Sequence, residues 1–199
     1  MRKSTLILAL VLISAIALHA QEMSDSLMQA KQMEFMQLQM PGPEHEKLSK
    51  LEGDWDMEIK FWMAPNTDPI TITSSGTFKM ILGGRFLEMR SSGKFMGQDM
   101  ETLHVLGFDR RSGEYTSTGF DSQGTYSVSA EGKYDAEKDM IVMYGEDYDA
   151  YWDFTQQYNF EVNMIDDDSF TWAVVFLDER MAQGQDSFKM VEIAYNRKK

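Results

Sequence analysis

The residues able to do chemistry in this chain are few. There is no cysteine, and the three histidines are His19, His45 and His104. His104 stands in "ETLHVLGFD", a run of strand character in which one parity joins it to Leu106 and Phe108. An imidazole so placed is a hydrogen-bonded interior residue, an acid or base beside a carboxylate such as Glu101 or Asp121, or an axial haem ligand. No second histidine lies near it in sequence, and no motif around a serine marks a nucleophile. No catalytic residue is assigned on these grounds. His45 is expected to be solvated.

The acidic turns suggest cations. "IDDDSF" places three aspartates side by side, but adjacent residues in a turn point different ways, and the spaced ligands and glycine of an EF-hand loop are missing. No metal site is expected. "YGEDYDAYWDF", Tyr144 to Phe154, mixes Glu146, Asp147, Asp149 and Asp153 with Tyr148, Tyr151 and Trp152. It reads either as a loop that receives a cationic or aromatic ligand on its ring faces, or as a hairpin whose rings cover its own base. Gly83 and Gly84 read as a hairpin turn, since no helix follows to make a phosphate cradle.

Something must hold these residues. Arg2 and Lys3 precede an apolar run from Leu6 to Leu18 that reaches Ala20. That is the charge and length pattern of a secretory signal, too short for a spanning helix, and it predicts export to the periplasm or beyond in a bacterium. Residues 1–20 are assigned to it and residues 21–42 to a methionine-rich leader, helical or disordered. Met33, Met36 and Met40 make either an apolar stripe, open to a protein partner, or a thioether site for Cu(I). The formal net charge of -13 disfavours nucleic acid and anionic membrane as partners. No stable membrane insertion is expected once the signal is removed.

From residue 43 to 199 the pattern is one domain. Pro43 suits the first turn of a short helix, with Glu44 and Glu46 favourable to its dipole, Leu48 and Leu51 three apart, and Gly53 as terminator. Then Trp55, Met57, Ile59, Phe61 and Met63 alternate with polar residues, as in a strand with one buried and one wet face. About ten such strands follow one another through tight turns. With no long helix between them, the fold class is all-β, an antiparallel up-and-down barrel closed to hide its edges. The presumed inner parity carries Phe61, Phe78, Met80, Tyr144, Phe160 and Trp172. With His104 and Tyr195 they are the candidates to line a site for a small, largely apolar ligand, or to fill the interior outright. Binding without catalysis is the expected activity, with an enzyme built on His104 as the alternative. No cofactor is predicted, haem being the alternative there.

A short helix before Gly-x-Trp resembles the start of a lipocalin-type barrel, in which the Trp packs beneath a basic residue of the last strand. That resemblance implies a Trp55–Arg197 closure. In fatty-acid-binding relatives an Arg and a Tyr grip a carboxylate, which would give Arg197 and Tyr195 a different task. More of the chain, "PGPEHEKLSKLEGDW", "MILGGRFLE", "LGFDRRSGEY" and "FDSQGT" in that order, is similar to a bacterial family known as domain of unknown function 1579. The similarity implies a lipocalin-like or calycin-like barrel and transfers no catalytic residue. Where that family tends to place Trp, this chain has Gly119, which would enlarge a cavity if it faces inward.

Overall fold

The computed structural model describes residues 25–199; the expected signal segment lies outside them. The chain divides after Met40 into two units. In the first, residues 25–38 form a helix, α1, from a stretch without Gly or Pro that ends before "PGP".

The second unit, Pro41–Lys199, opens with α2 (Pro43–Ser49), whose proline occupies the first turn. Ten strands follow: β1 (Gly53–Phe61), β2 (Ile70–Ile81), β3 (Phe86–Phe95), β4 (Gln98–Asp109), β5 (Glu114–Asp121), β6 (Val128–Asp135), β7 (Met140–Asp149), β8 (Phe154–Asp166), β9 (Ser169–Phe176) and β10 (Phe188–Arg197). A four-residue helix, α3 (Glu179–Ala182), interrupts the last connection. Each strand pairs antiparallel with its sequence neighbours, and β1 closes on β10. The barrel therefore has no free edge, which is the solution the run of hairpins called for.

Register decides what faces inward. Trp55 pairs with Gly76 and Arg197, and Met57 with Ser74 and Tyr195, so the apolar parity of β1 points into the barrel. Its other parity, Asp54, Asp56 and Glu58, is exposed. An apolar inside with a polar outside is the reverse of a barrel that faces lipid. No helix among the described residues is long and apolar enough to cross a membrane.

The α2 end is a solid plug. Trp55, Phe78, Phe170 and Tyr195 are at most 5% exposed, with Tyr195 stacked on Phe170 at 4.1 Å and Trp55 edge-on to Phe170 at 5.1 Å. Arg197 completes it. Its guanidinium lies 4.4 Å over the Trp55 ring and donates to the carbonyls of Lys50, Glu52 and Asp167 and to the Asp168 carboxylate. The aspartates of "IDDDSF" find their use here: Asp166 caps its own turn, while Asp167 pairs with Lys50 and Asp168 with Arg197.

Two expectations about this end need correction. Gly53 does not terminate α2, which stops at Ser49; it begins β1 with φ +131°, and an added Cβ would stand 2.8 Å from Arg197 Nη1. Close approach of the guanidinium and a backbone angle that suits glycine are why it is Gly. His45 is not solvated but 6% exposed. It lies one helical step from Leu48 on the face α2 turns to the barrel, edge-on to Phe108, and its Nδ1 accepts the Gly42 N–H at 3.1 Å. Burial, then the Arg110 charge, holds its pKa below the ordinary value.

Candidate functional site

Solvent reaches the inner wall only beyond the plug. Along β1, Trp55 and Met57 are buried while Ile59 and Phe61 are half-buried. On β9 and β10 the change falls between Trp172 and Val174 and between Tyr195 and Ile193; on β4 it falls between Leu106 and His104. On most strands the inward residues turn from buried to half-buried as they leave the α2 end. β9 and β10 end there on Phe176 and Phe188, which are buried again in one cluster with Ala182 of α3. The far half is therefore closed on that side and half-open on the other.

An aromatic layer forms the floor of the open half. The His104 ring meets the Trp172 ring at 5.6 Å, Trp172 meets Phe160 at 5.5 Å, Phe160 meets Tyr158 at 5.1 Å, and Tyr158 meets Phe176 at 6.2 Å. Two glycines make room for it. A Cβ on Gly119 would stand 2.5 Å from His104 Cε1, and one on Gly145 would stand 2.5 Å from Tyr158 Cε2. Gly119 does face inward, opposite His104 in the register. The space left by the missing side chain is taken by the imidazole, so it does not enlarge the cavity. Tyr158 anchors its edge by donating to the Ser129 carbonyl at 3.0 Å.

Polar groups sit on or above this floor. Ser91 and Thr102 share a hydrogen bond of 2.6 Å; Asp121, Asp147 and Gln156 share the inward parity of β5, β7 and β8. Three buried side-chain atoms have no hydrogen-bond partner among the described residues: His104 Nδ1, Ser117 Oγ and Asp147 Oδ1. All three belong to inward-facing residues. Each such atom costs about 1–3 kcal/mol while unpaired. Desolvation brings the His104 pKa down to about 4 against the opposing charge of Asp121, so the imidazole is neutral at pH 7. Desolvation also pushes the Asp147 carboxyl up, with Gln156 hydrogen bonding offsetting part of that, and raises the Tyr158 phenol to about 12.

The residues expected to line a site separate into four places. Phe78, Met80 and Tyr195 belong to the packed half, where Tyr195 and Arg197 complete the closure and do not present a carboxylate grip. His104, Phe160 and Trp172 make the floor. Phe61 stands in the wall near the mouth, edge-on to Phe95 at 5.5 Å. Tyr144 is a correction: it is 43% exposed and its hydroxyl donates to Glu146 on the outer surface. Met143 and Gly145 hold the inward positions of β7 in its place, since only glycine there leaves room for the Tyr158 ring.

Gln156 and Ser117 were not singled out from sequence, and Asp147 was read only as one of four acidic residues of the "YGEDYDAYWDF" loop. Their signal is parity: Asp147 continues Ile141, Met143 and Gly145. The "YGEDYDAYWDF" hairpin forms the β7–β8 corner of the mouth, with Tyr148, Tyr151 and Trp152 each more than 60% exposed. Among the described residues no group of three or more His, Asp or Glu side chains is placed to hold a metal ion. A shallow groove of about 580 Å³ also lies over β2 to β5, lined by Ser75, Thr77, Arg90, Glu101, Leu103 and Phe120. It is open to solvent, and Ser91, Thr102 and Asp121 of the inward parity also border it; the more enclosed lumen is the better candidate.

Comparisons with known proteins agree with this architecture. A family model described as Protein of unknown function (DUF1579) matches residues 40–197, and the chain belongs to that family. Among solved structures, the crystal structure of Rv2717c from M. tuberculosis matches with a TM-score of 0.54 at 16% identity, covering 80% of this chain and 100% of that one. At that identity the likeness is one of fold. No curated protein matches the chain.

Proposed function

We propose that this member of the DUF1579 family is an exported, non-enzymatic binding protein that holds a small, largely apolar molecule in the open half of its barrel. One observation carries the reading: inward side chains are packed at the α2 end, whereas beyond the His104–Trp172–Phe160–Tyr158 floor those of β1, β3, β4, β7 and β8 are only half-buried, with Phe176 and Phe188 closing the β9–β10 side. Concave, mostly apolar walls with a few converging polar groups are the general form of a small-molecule site, and mouths of β-barrels are a preferred location. Ile59, Phe61, Val174 and Ile193 supply apolar wall; Ser91, Thr102 and Asp147 supply polar points. Export is argued from Arg2, Lys3 and the apolar run behind them.

Acid–base catalysis by His104 is disfavoured by its pKa of about 4, because a base is most effective with a pKa near the working pH. The test is native mass spectrometry of the mature protein with an absorbance scan and titration with a neutral fluorescent naphthylamine dye. A retained adduct, or saturable dye uptake that His104→Trp reduces, supports the reading. A clean mass with no uptake overturns it, and a Soret band would replace it with haem held by His104.

A further inference from the structure

The open half of the lumen has a charge of one sign. The inward parity beyond the floor carries the carboxylates Asp121, Asp147 and Asp149. Among the described residues no lysine or arginine shares that parity there. The one inward arginine, Arg197, is at the other end of the barrel, committed to Trp55 and three backbone carbonyls. The three carboxylates are not equivalent. Asp121 Oδ1 accepts the N–H groups of Gln123 and Gly124, and Asp149 Oδ1 those of Tyr151 and Trp152. Each therefore serves its own turn. Asp147 Oδ1 is buried and accepts nothing, and the neighbouring Tyr158 hydroxyl points its proton to Ser129 instead.

We infer that the ligand is a small apolar amine, its ammonium donating to Asp147 while its hydrocarbon lies on the aromatic floor. This rests on the proposed binding function and names its ligand class. The Asp147 carboxyl holds one bond, from Gln156, and leaves Oδ1 without a donor; a ligand ammonium would supply it through a charge-assisted bond, the strong kind. A ligand carboxylate would meet Asp147 with like charge, and among the described residues no lysine or arginine of the inward parity beyond the floor would answer it. One cation does stand at the mouth: the Arg180 guanidinium of α3 lies 4.8 Å over the Phe154 ring and occupies that face.

The experiment is calorimetric titration of the full mature chain with octylamine, octanol and octanoate at pH 7, repeated with Asp147→Asn. The amine should bind about tenfold or more tighter than the alcohol, as a charge-assisted bond predicts, with octanoate weakest. In Asp147→Asn the amine should fall to the level of the alcohol while the alcohol is unchanged. Octanoate binding as tightly as octylamine, or an amine preference that survives the substitution, overturns the amine assignment and leaves a binding barrel. No binding of any of the three overturns the assignment and the proposed function together. Should Asp147→Asn fail to fold, the order of the three ligands on the wild-type protein decides.

Discussion

Replacing Arg197 with Met tests the plug at the closed end. The side chain of Met is long enough to keep apolar contact with Trp55, so the change removes chiefly charge and hydrogen bonds. Arg197 makes a cation–π contact with a fully buried ring at 4.4 Å, a geometry worth about 1–2 kcal/mol when desolvated. It also donates to the carbonyls of Glu52 at 2.6 Å, Lys50 at 2.5 Å and Asp167 at 2.7 Å. Bonds from a charged donor contribute about 1.5–3 kcal/mol each when enclosed. Those three residues are exposed, so water replaces part of each bond, and about 0.5–1 kcal/mol apiece is a better figure. The ion pair to Asp168, 66% exposed, adds close to nothing. The sum is about 2.5–5 kcal/mol. Urea unfolding followed by tryptophan fluorescence should show that loss for Arg197→Met and about half of it for Arg197→Lys, which keeps the charge without the fork. A loss of less than about 0.5 kcal/mol for Arg197→Met, the size of an ordinary surface substitution, would refute the account of the closure.

Three further outcomes are expected. Gly119→Ala should destabilise by about 1–3 kcal/mol because its Cβ overlaps the His104 ring; in a His104→Ala background most of that loss should vanish, and additive effects would deny the contact. His104 has a folded pKa of about 4 against an ordinary value near 6.5 in the unfolded chain. Its contribution is therefore whole above pH 6.5 and is lost as pH falls from 6.5 to 4, by up to about 3 kcal/mol. Stability measured at pH 7 and pH 5 should accordingly fall less in His104→Gln than in wild type, and equal slopes would contradict the burial. Tyr158→Phe removes the bond to the Ser129 carbonyl and should cost about 1 kcal/mol in urea unfolding while leaving naphthylamine dye uptake intact; lost uptake would mean that the floor itself had moved.

Parity explains how much of the site was legible. In β1 only one parity is apolar, so Trp55, Met57, Ile59 and Phe61 could be placed inside from their spacing. In β7 both parities read as apolar, Met140, Val142 and Tyr144 against Ile141, Met143 and Gly145. Periodicity cannot choose between them. The choice is made across the sheet by Tyr158, whose ring requires a residue without Cβ opposite it. The same choice puts Asp147 inside, a position that an acidic turn read alone would give to solvent. His45 shows the other limit. A seven-residue helix carries too little pattern to show its buried side when one of the buried residues is polar.

The sequence by itself determined the strand-and-turn order, the absence of crossover helices and hence the closed antiparallel barrel, because hairpin chemistry and alternation are local and edges must be hidden. The Trp55–Arg197 closure was implied only by the resemblance to lipocalin-type barrels, beside a carboxylate grip by Arg197 and Tyr195, and the structure decides for the closure. Only the tertiary structure decided that the interior is half plug and half chamber. That division depends on how far each inward side chain reaches across the barrel: His104 into the space of Gly119, Tyr158 into that of Gly145, and Arg197 out of the lumen to cover Trp55. Those are contacts between strands distant in sequence, and no single strand's pattern contains them.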